Sequence, residues 1–86
     1  MKIAGTIFRN KSVISNTPDE FDATYKGKHI VITTDHGFGA AREFGYRRFD
    51  ITVRDIKTGM LDVNTYEDFE TIGDAIQYAL IGSMVI

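Results

Sequence analysis

Cysteine is absent from the 86-residue chain. Secreted domains of this size usually depend on disulfide bonds, so the absence favours a reducing compartment and excludes a thiolate metal site. The first residues lack the apolar core of a signal peptide, and no apolar run approaches the roughly 20 residues that a membrane-spanning helix needs. We therefore predict a cytoplasmic protein that makes no membrane contact.

Residues that carry catalysis or hold a cofactor are also scarce. The chain has two histidines, His29 and His36, whereas a catalytic zinc site takes about three protein ligands. In the glycine-rich segment 35–45, Arg42 stands where a dinucleotide-binding fingerprint has its third glycine. No serine lies in a nucleophile-elbow setting. We predict that the protein is not an enzyme and that it binds neither a cofactor nor a metal ion.

The composition is that of an ordinary globular domain, with 43% apolar and 26% charged residues. A chain of this length builds one hydrophobic core, so residues 1–86 are expected to form a single domain. Alternating apolar and polar residues predict strands at 46–54 and 60–66, joined into a hairpin by the turn at 57–59. On the second of these strands, Leu61 and Val63 are expected to point inward.

Other strands follow from β-branched or alternating stretches. Segment 29–34 is apolar and β-branched, and residues 12–15 are a short candidate. We also predict one strand over residues 2–8, with Ile3 and Ile7 on the same face.

Residues 17–25 allow two interpretations. Thr17 to Glu20 have the form of a helix capping box with Pro18 at the first helical position. From Phe21, however, apolar and polar residues alternate as in a strand, and Gly27 then supplies the turn of a hairpin. Residues 40–44 can likewise form a helical turn within the glycine-rich segment.

Near the C-terminus the hydrophobic period lengthens to that of a helix. Thr71 is a suitable N-cap, with Asp74 at the third helical position, and Gly82 is a suitable stop. The apolar stripe of this helix is Ile72, Ala75, Ile76, Ala79 and Leu80. The fold class is therefore predicted to be α+β, an antiparallel sheet of four to five strands packed against one C-terminal amphipathic helix.

Charge is distributed unevenly along the chain. Residues 1–54 hold nine Lys and Arg against six Asp and Glu, whereas residues 55–86 hold one Lys against six acidic residues. Carboxylates around exposed aromatic rings suit docking on a basic protein surface, such as one that normally holds nucleic acid. We predict a protein-binding site at the junction between the last strand and the helix. Its residues are Asp62, Tyr66, Glu67, Asp68, Glu70 and Asp74.

Two alternative functions use other parts of the chain. Arginines beside aromatic residues can bind nucleic acid, although the isoelectric point is only about 5.5. Asp50 and Asp62 are expected to neutralise that surface by cross-strand pairing. The arginines of this alternative are Arg42, Arg47, Arg48 and Arg54. The second alternative is a homodimer or larger homo-oligomer seated on the apolar tail, Met84, Val85 and Ile86.

The segment Asp68-Phe69-Glu70-Thr71, which leads from a hairpin into a short helix, resembles a segment of one type I-F family of phage-encoded anti-CRISPR proteins. The size, the lack of cysteine and the α+β architecture are also similar to those of such inhibitors, although this chain lacks the extreme acidity of the DNA-mimicking members. The resemblance implies a non-catalytic inhibitor in the host cytoplasm that occupies a surface of a CRISPR-Cas or other defence nucleoprotein complex.

Overall fold

A computed structural model describes residues 1–34 and 47–85, and it confirms the α+β class. The described strands are β1 (Lys2–Ile3), β2 (Thr6–Ile7), β3 (Val13–Asn16), β4 (Glu20–Tyr25), β5 (Lys28–Thr34), β6 (Arg47–Asp55) and β7 (Leu61–Phe69), and the helix α1 is Ile72–Gly82. A 3₁₀ turn covers Asn10–Ser12. Strands β3 to β7 form one antiparallel sheet in sequence order, and β1 pairs with β2 in a separate hairpin.

The core lies between one face of the large sheet and α1. Alternation places every second residue of each strand on that face, where Phe21 lies opposite Ile32 and Ile30 lies opposite Val53. Helix α1 packs across β4 to β7 through its predicted stripe. The fully buried large side chains are Phe8, Phe21, Ile30, Ile32, Phe49, Ile51, Val53, Ile76 and Leu80.

Both predicted ends of the helix are confirmed. The Thr71 hydroxyl accepts a hydrogen bond from the Asp74 backbone N–H at 3.2 Å, which satisfies one of the free donors of the first turn. The helix ends at Gly82, after which the Ser83 hydroxyl donates to the Ala79 carbonyl at 2.8 Å. The carbonyls of Ala79, Leu80 and Ile81 therefore have partners although the C-cap is buried.

The N-terminal prediction is wrong, because residues 2–8 do not form one strand. Ala4 and Gly5 have φ angles of 50° and 81°, and the chain reverses there to pair β1 with β2. Gly5 adopts this backbone conformation readily because it has no Cβ. As a result Ile3 is buried, with 8% exposure, whereas Ile7 is 74% exposed.

The strand interpretation of residues 21–25 is confirmed, since β4 begins at Glu20. The Thr17 hydroxyl accepts hydrogen bonds from the N–H groups of Asp19 and Glu20, at 3.2 and 3.0 Å. The capping side chain thus closes a turn before a strand instead of starting a helix.

Strand β7 differs from its prediction in two ways. It continues to Phe69, and Leu61 is exposed, because the β6–β7 register shifts after the pair formed by Val53 and Val63. Val63 does pack against the core as predicted. The suggested turn at 40–44 lies outside the described residues.

We predict that Leu80→Ala destabilises the protein by about 2–5 kcal/mol, because it leaves a cavity between the helix and the sheet. Ile81→Ala is the matched control, since the neighbouring Ile81 is exposed on the same helix, and its effect should stay within about 0.5 kcal/mol. Urea unfolding followed by circular dichroism measures both. Equal midpoints for the two variants would contradict the packing of α1.

Candidate functional site

The acidic junction predicted from the sequence is centred on β7, the outermost strand of the large sheet. Every second residue of this nine-residue strand is half-buried. Phe69 lies on the helix side, with its ring 5.6 Å from that of Tyr78 and 6.5 Å from that of Phe49. Tyr66 lies on the other face of the strand and is 66% exposed. Alternation therefore divides the predicted site between two faces.

Glu67 is on the helix side of β7. The Tyr78 hydroxyl donates to its Oε1 at 3.4 Å, and the Thr65 hydroxyl donates to the same oxygen at 3.3 Å. Burial, together with the nearby Glu67 charge, raises the pKa of Tyr78. No Lys or Arg of the described residues forms an ion pair with Glu67. Its negative charge is therefore available to a partner.

Asp68 is on the opposite side of β7 and is paired with Arg48, its cross-strand neighbour on β6. The Arg48 guanidinium donates to both carboxylate oxygens, at 3.0 and 3.3 Å. These hydrogen bonds lower the pKa of Asp68. Both side chains are exposed to solvent, which screens their attraction, so the pair contributes little to stability.

Asp62 is part of a separate cluster at the start of β7. The Lys28 ammonium lies 2.6 Å from its carboxylate and 2.9 Å from that of Asp55. The pKa of Asp55 is lowered to about 2. The largest cause is the hydrogen bond from the Thr58 backbone N–H, and the second is the hydrogen bond from the Lys28 ammonium. Asp62 therefore ties two strands together and is not close to the helix junction as predicted.

The remaining members of the predicted site surround the start of α1. Glu70 is exposed between β7 and the helix, and Asp74 is exposed in the first helical turn. Neither forms an ion pair with a described residue. Together with Glu67 and the exposed ring of Tyr66, these carboxylates form what we call the β7 junction.

The described arginines of the nucleic-acid alternative already have partners. Arg47 donates to Asp19 at 2.7 Å, and its guanidinium lies 5.1 Å from the Phe49 ring centroid. Arg54 donates to the Gly59 carbonyl. The sequence predicted that Asp50 and Asp62 would neutralise these arginines. Instead Asp19 pairs with Arg47, and Asp68 pairs with Arg48, which the β6–β7 register places opposite it. Arg42 lies outside the described residues, and nucleic-acid binding stays a prediction.

The C-terminal tail divides at Met84. Met84 is exposed, whereas Val85 packs against the core and its N–H donates to the Leu80 carbonyl at 3.2 Å. Ile86 lies outside the described residues. Val85 of the tail therefore packs within its own chain, whereas Met84 stays exposed. Homo-oligomerisation through the tail stays a prediction.

Asp22 and His29 form a pair that was not predicted from the sequence, with Oδ1 and Nε2 2.7 Å apart. The two-residue turn of Lys26 and Gly27 sets the β4–β5 register that brings these residues together, so turn geometry could have revealed it. No hydrogen bond joins His29 to a hydroxyl in the described part of the chain.

No family model matches this chain, and neither a curated protein nor a solved structure matches it. Within residues 1–34 and 47–85, no helix is long and apolar enough to span a membrane. The same residues contain no group of three or more His, Asp or Glu side chains placed to hold a metal ion.

The cluster of Lys28, Asp55 and Asp62 predicts acid sensitivity. The folded-state pKa of Asp55 is about 2, below its ordinary value of 3.8, so the ionised carboxylate stabilises the fold above pH 4 and this stabilisation is lost as pH falls towards 2. Asp55→Asn keeps an acceptor for the Thr58 N–H but removes the charge. It should lower the melting temperature at pH 7 and flatten its decline below pH 4.

Thermal unfolding between pH 7 and pH 2 measures this effect. Glu70→Gln is the control, because Glu70 is exposed and has no cation partner among the described residues. That variant should keep the wild-type pH profile. If Asp55→Asn kept the wild-type dependence of melting temperature on pH, this result would contradict the stabilising role of the ionised Asp55 carboxylate.

Proposed function

We propose that the protein is a non-enzymatic protein-binding module that accepts an extended, basic segment of its partner along β7. The observation that carries this proposal is the nine-residue edge strand β7, whose outer side pairs with no strand among the described residues. An edge strand presents unpaired N–H and C=O groups, which an added strand can satisfy.

The other edge of the sheet is much less suited to this role. Strand β3 has four residues, whereas β7 has nine. Short edges discourage strand addition. The long edge at β7 is therefore the better surface for a partner.

The charge of the β7 junction selects the kind of partner. Glu67, Glu70 and Asp74 lack cation partners among the described residues. Tyr66 offers an exposed aromatic ring on the other face of the same strand. Aromatic side chains are common anchors at interfaces, and opposite charges favour encounter. A second copy of this chain would bring more carboxylates to the same seam, which is unfavourable. These features support a basic partner.

Basic surfaces of this kind are typical of proteins that hold nucleic acid. The proposal therefore extends to an inhibitor that occupies such a surface, as the resemblance to phage-encoded anti-CRISPR proteins implies. A cytoplasmic site of action, in the host of a phage, belongs to the same proposal.

A short peptide of alternating lysine and threonine tests strand addition directly. It should bind the protein, and alternate β7 amides should become protected from hydrogen exchange, because one side of the strand gains backbone partners. A peptide of alternating glutamate and threonine should not bind. Fluorescence anisotropy and amide exchange measured by NMR provide the two measurements.

Glu67→Gln combined with Glu70→Gln should weaken binding of the lysine peptide by about threefold to tenfold, because two attractive charges are lost. The amide oxygen introduced at position 67 can still accept from the Tyr78 hydroxyl, so the strand-to-helix contact is kept. Glu20→Gln, at an exposed carboxylate on β4, is the matched control and should leave affinity unchanged. Binding of both peptides with equal affinity, or protection outside β7, would overturn the proposal.

A further inference from the structure

A cleft of about 420 Å³ opens beside the N-terminal hairpin, next to the β4–β5 turn. Its size falls within the range of small-molecule sites, about 300–1,000 Å³. Backbone hydrogen bonds hold its walls in place. The Ile56 N–H donates to the Gly27 carbonyl at 3.0 Å, and the Ser12 N–H donates to the Arg9 carbonyl at 2.9 Å. The cleft is therefore formed before any ligand enters, which limits the ordering cost of binding.

Two cations line this cleft without a carboxylate beside them. Arg9 and Lys26 form no ion pair with a described residue, and no Asp or Glu of the described part contributes to the lining. The Lys26 ammonium lies 5.4 Å from the Tyr25 ring centroid. Uncompensated cations in a concave surface attract an anion, which both can bind through charge-assisted hydrogen bonds.

The cleft also has apolar walls. Ile7 and Ile56 are 74% and 56% exposed although both line it. The Tyr25 ring packs on Phe8, with 5.0 Å between centroids, which fixes its position in the lining. A ligand that covered the two isoleucines would remove apolar surface from water. The lining thus suits a ligand with both an anionic and an apolar portion.

The backbone at Lys26 is a third, independent feature. Lys26 has a φ angle of 47° and is followed by Gly27 at 79°. Turns with two positive φ angles favour Asn, Asp or Gly at the first central position, because the Cβ and long side chain of lysine are disfavoured there. A residue kept in a disfavoured backbone conformation is a reason to look for a function of its side chain, here the ammonium group of Lys26.

From these features we propose that the cleft binds a small organic anion, in which a phosphate or carboxylate group is joined to an apolar or planar portion. Arg9 and Lys26 hold the anionic group, and the Thr24 hydroxyl is a further donor in the lining. Ile7 and Ile56 contact the apolar portion. This site is separate from the β7 junction and does not depend on partner binding there.

Phenyl phosphate is the first probe, titrated into isotope-labelled protein and followed by amide chemical shifts. Shifts should concentrate at the lining residues Ser12, Thr24, Gly27 and Ile56. Inorganic phosphate, which lacks the ring, should bind about threefold or more weakly. Benzoate in a parallel titration distinguishes a carboxylate ligand from a phosphate ester.

Arg9→Gln and Lys26→Asn should each weaken phenyl phosphate binding by about threefold or more. Asn suits the turn better than lysine, so Lys26→Asn should keep or raise the melting temperature and thereby separate binding from stability. Lys57→Gln is the control, because Lys57 is an exposed lysine outside the lining. It should bind like the wild type.

The proposal would be overturned by the absence of shifts up to about 10 mM phenyl phosphate, where a millimolar site would be filled. Shifts spread over exposed lysines in general would also overturn it, as would equal binding by Arg9→Gln, Lys26→Asn and the wild type. Binding that requires no ring, with inorganic phosphate as effective as phenyl phosphate, would also contradict it.

Discussion

The register between β4 and β5 is the constraint on which the rest of this structure depends. The two residues of the turn, Lys26 and Gly27, both have positive φ and therefore place Tyr25 opposite Lys28. That pairing puts Phe21 opposite Ile32 on the core face. A slip of one residue would turn the apolar side chains of a strand to solvent. In the neighbouring β5–β6 register, Lys28 lies opposite Asp55, and the two side chains form an ion pair.

Much of this fold could be predicted from the sequence, because short-range patterns determine it. A β-branched apolar stretch identifies β5, alternation identifies β6, and the helical stripe with its Thr71 cap identifies α1. The N-terminal hairpin could not be found in this way. Alternation over residues 2–8 fits a strand, and only the positive φ at Ala4 and Gly5 shows that the chain reverses. The exposed position of Leu61 depends on a register shift that apolar patterning does not encode.

The candidate site was harder to predict because proximity in the chain is not proximity in space. Glu67 and Asp68 are adjacent in sequence, yet strand alternation sends one to Tyr78 and the other to Arg48. Ending the predicted strand at Tyr66 hid this division, whereas extending it to Phe69 would have revealed it. The cleft between Arg9 and Ile56 was beyond sequence analysis altogether, because its lining comes from segments far apart in the chain that only the fold brings together.

The uneven charge along the chain acquires a physical meaning once these two surfaces are located. A long exposed edge strand invites pairing with any extended chain, and natural sheets counter this with charged side chains and irregular register. Strand β7 has both, since carboxylates lie along it and its register shifts near Leu61. Negative charge disfavours pairing with an acidic strand, including β7 of a second copy, and favours a basic segment. In the proposed function, the carboxylates that discourage self-association at this edge are therefore the same ones that select the partner.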